Sequence, residues 1–144
     1  MKKTLIVTAL ALLITTALWS INNNSTTTNA VSKNINVEVY KNASYISPAY
    51  KNTFATLKVT VVRINGKERD IVWQHTYKPT ELKDFPGVDK PMTQKISIPN
   101  INDKKEKLEI YYQVTYNSQG SILNLVNTSV IEKGQKTGKL SIEI

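Results

Sequence analysis

From residue 34 onward the chain alternates apolar and polar positions with a period of two. Ile35, Val37 and Val39 alternate with Asn36, Glu38 and Tyr40, and Leu57, Val59 and Val61 with Lys58 and Thr60. Successive side chains of a strand point to opposite faces, so this period marks half-buried β-strands. At Val62 the apolar set changes parity and continues through Ile64. That slip predicts a β-bulge near Val61–Val62 or a strand buried on both faces. Asn65-Gly66 predicts a hairpin turn. The return strand carries Ile71, Trp73, His75 and Tyr77 on one face and Val72, Gln74 and Thr76 on the other.

Lys78 to Pro91 breaks the rhythm. Pro79, Pro86, Gly87 and Pro91 rule out a continuous strand there, and a single helical turn fits around Thr80–Lys83. Ile96 and Ile98 predict a short strand ended by Pro99, followed by a charged turn over 102–107. Leu108, Ile110, Tyr112, Val114 and Tyr116 form the clearest apolar face, with Glu109, Tyr111, Gln113 and Thr115 opposite. Asn117–Gly120 turns the chain, Ile122–Ile131 returns, and Leu140, Ile142 and Ile144 close the series. No stretch sustains a 3.6-residue period. These elements predict an all-β domain over residues 31–144, an antiparallel β-sandwich of about seven strands. Trp73 with Tyr112 and Tyr116 as core aromatics makes the expected architecture immunoglobulin- or fibronectin-like.

The first 30 residues follow another pattern. Lys2 and Lys3 precede an apolar run from Leu5 to Leu18, and a polar tract rich in Asn and Thr leads to Ala30. Basic, apolar and small-residue regions in that order are the layout of a secretory signal. The run is shorter than the roughly 20 residues that cross a bilayer. A secreted or periplasmic location follows as the expectation, with retention of the segment as an anchor the alternative. Ala17, Ser20 and Ala30 compete as the cut. Ala30 is preferred, and it frees a strand starting near Ile35.

Composition then narrows the chemistry. The chain has no cysteine, so disulfides, a thiolate nucleophile and a lipid on cysteine are excluded. Loss of Lys2 and Lys3 with the signal takes the formal charge from +8 to +6. Arg63 and Arg69 are the only arginines. Scattered lysine suits solubility and guarded strand edges better than bidentate recognition of phosphate or bases, so nucleic acid is not expected as a partner. Nor is a membrane, once the signal is cut.

His75 is the single histidine, and its place between Trp73 and Tyr77 predicts a packed or half-buried side chain. Catalytic triads would need it, yet no Gly-x-Ser-x-Gly elbow is present. One histidine without cysteine excludes the usual zinc sets. The oxygen-rich turn with Asn100, Asn102, Asp103 and Glu106 is interleaved with Lys104, Lys105 and Lys107, which oppose a dication. No metal, no cofactor and no enzymatic activity are therefore expected.

Tyrosine offers wide contact area at low entropy cost. Tyr111 lies on the parity opposite the core set, and Tyr45 and Tyr50 lie in a turn-rich stretch around Pro48. With Lys83 on the long Lys78–Pro91 loop, these are the candidate binding residues. The expected function is contact: an adhesion or binding module, or a subunit of a surface assembly, with a protein or polysaccharide partner. A small membrane-active toxin and an extracellular inhibitor or immunity-type protein are the rivals. Residues 35–40 and 139–144 predict edge strands open to self-association by β-augmentation. On that reading, deletion of 31–40 would leave a folded core.

Overall fold

The alternating pattern resolves into eight strands. In the computed structural model, which describes residues 30–44 and 50–144, these are β1 (Ala30–Tyr40), β2 (Thr53–Asn65), β3 (Glu68–Thr76), β4 (Thr80–Glu81), β5 (Met92–Asn102), β6 (Glu106–Ser118), β7 (Ser121–Ile131) and β8 (Thr137–Glu143). The expected signal segment, the candidate cuts at Ala17 and Ser20, and Tyr45 lie outside the described residues. Two sheets pack face to face. One has the order β5-β1-β8 and the other β3-β2-β6-β7, with β4 pairing the start of β2. All pairs are antiparallel except β1 with β8, which run parallel. The fold is an all-β sandwich, as the periodicity predicts.

The core is the inward parity of each strand: Ile35, Val37 and Val39 of β1, Leu57, Val59 and Val61 of β2, Leu108, Ile110 and Val114 of β6, and Leu140 and Ile142 of β8. Trp73, Tyr112 and Tyr116 are half-buried and pack against it. Leu82 and Phe85 are buried in the same cluster. Leu82 opens a 3-10 turn at Leu82–Asp84 and Phe85 follows it, overlapping the helical turn expected around Thr80–Lys83, whose first two residues form β4 instead.

The parity slip has a double explanation. The β2–β3 register shifts between Val61 and Val62, with Val72 of β3 as the extra residue. Val62 and Ile64 also face the outer side yet are buried. Arg69 reaches across them to Glu109, with Nη2 to Oε2 at 2.5 Å, so its aliphatic stem shields them. Asn65-Gly66 does form the hairpin, with Gly66-Lys67 as the two loop residues. A left-handed Gly66 (φ 61°) followed by an ordinary residue is the pattern of a type II′ turn.

Pro99 does not end its strand. Pro99 and Asn100 together face Ser32, and the ladder resumes at Ile101. Asn100 takes φ 60°, and β5 is an edge strand, where a bulged proline loses no ladder bond. β1 also starts earlier than Ile35. Ala30 and Val31 already pair with Asn102 and Ile101, so a cut after Ala30 leaves nearly all of β1 intact.

The location of β1 corrects a larger expectation. It is the central strand of its sheet, flanked by β5 and β8, so residues 35–40 present no free edge. Of the two terminal segments, only 139–144 lies on one. Long-range pairing, invisible to local alternation, brought the last strand beside the first.

The polar turn near Asp103 also has a structural occupant. Lys33 is fully buried. Its ammonium donates to the carbonyls of Glu132 (2.7 Å) and Gln135 (2.8 Å) and pairs with Asp103 Oδ1 at 2.7 Å. All three N–H donors are thereby matched. Asp103 also accepts from the Gly134 N–H at 3.0 Å. This latch ties β1, the β5–β6 turn and the β7–β8 turn together.

The hydrogen bond from Lys33, reinforced by Gly134 and the nearby Lys136, holds the Asp103 carboxyl below its ordinary range, against a smaller opposing effect of burial. A carboxylate whose folded-state pKa is depressed contributes stability that is present above its unfolded value, about 3.9. That contribution is lost as pH falls through the folded value. The melting temperature of the wild type should therefore exceed that of Asp103→Asn at pH 6, and the gap should close below pH 4 in a thermal-melt series. A gap independent of pH would remove the carboxylate from this role.

Candidate functional site

The sheet β3-β2-β6-β7, with β4 on β2, is wider than the three-stranded sheet that faces it, and the mismatch exposes β7. On one side Tyr77 of the β3 margin donates a hydrogen bond to Gln94 of β5 across the sandwich. On the other, β7 lies at the end of its sheet, and among the described residues no strand pairs with its outer edge. Its inward residues Leu123 and Leu125 are 58% and 50% exposed. Its outward residues Ile122, Val126 and Val130 are 66%, 66% and 41% exposed. A strand apolar on both faces is normally buried on both faces.

Between this overhang and the end of β8 lies a groove of about 570 Å³. Leu123, Leu125, Tyr116 and Ile144 line it with Leu82 and Tyr50, and Ser118, Ser121 and Thr53 supply polar points. Its described lining contains no charged side chain. That volume and composition lie within the range of sites for organic ligands or inserted side chains. Burial, with Glu143 and Tyr112 nearby, raises the pKa of the Tyr116 hydroxyl above its ordinary value, so it stays a neutral donor over the physiological range.

The sequence-predicted residues do not converge here as a set. Tyr50 lines the groove. Lys83 follows Leu82, with its Nζ 2.7 Å from Glu81 Oε2, and its carbonyl accepts from Lys41 Nζ at 3.0 Å. Tyr111 points from the opposite, outer face of the sheet. Its hydroxyl donates to Glu109 Oε2 at 2.5 Å and accepts from Arg69. The bond to Glu109 is the main reason that the Tyr111 pKa is raised. The same bond, with Arg69 and Lys107, lowers that of Glu109. Tyr111 is thus half-buried and engaged within its own sheet.

His75 is packed against its aromatic neighbours, as expected, but it is exposed rather than half-buried. Its ring packs edge-on against Tyr77 at 4.7 Å and tilted to Trp73 at 6.0 Å. It sits on the inward parity, but at the β3 margin the smaller opposing sheet does not cover it. No group of three or more metal-ligating side chains occurs among the described residues.

Sequence reasoning missed the residues of β7. The signal was present: no charged residue lies between Glu109 and Glu132, in a chain that is 21% charged. Apolar residues also occupy both parities at Ile122-Leu123 and Leu125-Val126. Comparison of the chain with protein-family models, with curated proteins and with solved structures returns no match.

Proposed function

We propose that the protein acts by contact, as a binding module or a subunit of a surface assembly outside the cytoplasm, with β7 and the groove beside it as the contact surface. The observation that carries this reading is the uncharged, doubly apolar edge strand Ser121–Ile131. Exposed apolar edges invite aggregation, and proteins ordinarily guard them with charge, proline or cover. An edge left bare over 11 residues is accounted for by an occupant. An extended apolar segment suits it, adding its backbone to the β7 edge and lowering alternate side chains into the groove. The Lys2–Lys3 and Leu5–Leu18 layout supports export.

Selection of random extended peptides against the full chain, followed by amide chemical-shift mapping, tests the surface. Enriched peptides should be apolar, should perturb β7 amides, and should bind at least about tenfold more weakly to Leu125→Asp, a loss of about 1.4 kcal/mol. Peptides that perturb the Arg69–Glu109–Tyr111 face and ignore Leu125→Asp would overturn this reading.

A further inference from the structure

We infer that the occupant of the β7 edge is a second copy of the same chain, paired antiparallel about a two-fold axis at Val126, so that the β7-bearing sheets of two copies become one continuous sheet. The inference deepens the contact reading and rests on it.

Backbone direction is the first support. The β6–β7 hairpin turns on Gln119-Gly120, both with positive φ (50° and 88°), and pairs Ser118 with Ser121 directly. A two-residue loop of that kind is closed by a hydrogen-bonded pair, and such pairs alternate along an antiparallel ladder. Pairing continues without a register shift to Leu108–Ile131. The N–H and C=O groups of Ile122, Asn124, Val126, Thr128 and Val130 therefore point away from β6, toward the free edge. Thr128 agrees: its N–H donates to the side-chain oxygen of Asn127 at 2.7 Å, not to β6.

A two-fold placed on Val126 uses that set. Ile122 then meets Val130 of the second copy, Asn124 meets Thr128, and Val126 meets itself. Apolar faces apolar and polar faces polar at every outward position, which is how cross-strand pairs stabilise a sheet. Five such pairs exchange about ten backbone hydrogen bonds. The same strand read against an unrelated segment carries no such built-in match.

Charge is the second support. Copies of a chain with net charge +8, or +6 without Lys2 and Lys3, repel, and among the described residues the other sheet edges carry charged side chains. β3 has Glu68, Arg69 and Asp70, β5 has Lys95, and β8 has Lys139 and Glu143. Charged side chains on an edge guard it against pairing, whereas β7 is an 11-residue edge with no charged side chain, so two copies meet along it without burying a charge.

The test uses the full chain expressed from Met1, in the processed form that accumulates. Light scattering at tens of micromolar should give the dimer mass. Val126→Lys and Val126→Glu should each be monomeric, and their equimolar mixture should recover the dimer, since opposite charges then meet at the axis. Position 126 is exposed, so circular dichroism should show both variants folded.

Should either fail to fold, cross-linking decides. The chain has no cysteine, and hydrogen-bonded partners sit about 5.5 Å apart at Cα, within the roughly 4.4–6.8 Å of a disulfide. Val126→Cys should oxidise to a covalent dimer at least tenfold faster than Ile71→Cys, a control of equal exposure (66% each) on β3. A monomeric wild type, a dimer that survives Val126→Lys, or equal cross-linking at positions 71 and 126 would overturn the inference. A monomer that still binds selected peptides along β7 would overturn self-pairing alone and leave the contact reading intact.

Discussion

Deletion of residues 31–40 is expected to abolish cooperative folding, seen as the loss of both the β-sheet circular dichroism and any thermal transition. The segment is most of β1, which pairs with β5 on one side and β8 on the other. Without it the second sheet has no continuous ladder, and β5 and β8 lose the only strand partner they have among the described residues. Ile35, Val37 and Val39 are 0–1% exposed. Burying three such side chains contributes about 5–9 kcal/mol at about 1.5–3 kcal/mol each. Whole domains are stable by only about 5–15 kcal/mol. A truncated chain that retained a sharp melting transition would place the core elsewhere.

Lys33→Met is expected to destabilise the protein by about 3 kcal/mol, the cost of removing one partner from a buried charged network. For a domain of this size that lowers the melting temperature by roughly 10 °C. Methionine keeps the length and apolar stem of lysine, so the loss isolates the ammonium. The carbonyls of Glu132 and Gln135 and one oxygen of Asp103 would lose their donor together. Chemical denaturation of the wild type, Lys33→Met, Asp103→Asn and the double variant forms a thermodynamic cycle. Strong coupling between the two positions is the expected result, and purely additive losses would show that Lys33 acts through its two carbonyl partners alone. Lys33 was not legible as a structural residue, because lysine is almost never fully buried unless it is paired. Its partners lie about 70 and 100 positions away in the sequence.

Local information reached further for strands than for their neighbours. The apolar face from Leu108 to Tyr116 was legible because a period of two has one structural solution when one face is buried. Gly66 and Gly120 marked two hairpins because left-handed backbone there favours glycine. Pro99 misled because proline forbids a central ladder bond but permits a bulge on an edge, and the sequence alone could not say that β5 was an edge. His75 misled for a related reason. Its parity is inward, but inward parity buries a side chain only where the opposing sheet extends over it.

The candidate site shows the same division. Tyr50 was legible as an aromatic in a turn, and it does line the groove. Tyr111 was legible as outward-facing, but its engagement by Arg69 and Glu109 depends on three strands meeting in one register. The β7 stripe was legible in principle, through 22 uncharged residues between Glu109 and Glu132. A buried strand would read the same way, so only sheet order could expose it.

The sequence by itself determined that the chain is a β-sandwich, where most of its strands and turns lie, and that disulfide and thiol chemistry are closed to it. Alternation, turn residues and composition are local quantities, and they suffice for those conclusions. The tertiary structure alone decided that β1 is central, that Lys33 is a buried latch, and that β7 is the bare edge. Each depends on which distant strands pair, and pairing is set by burial summed over the whole sandwich.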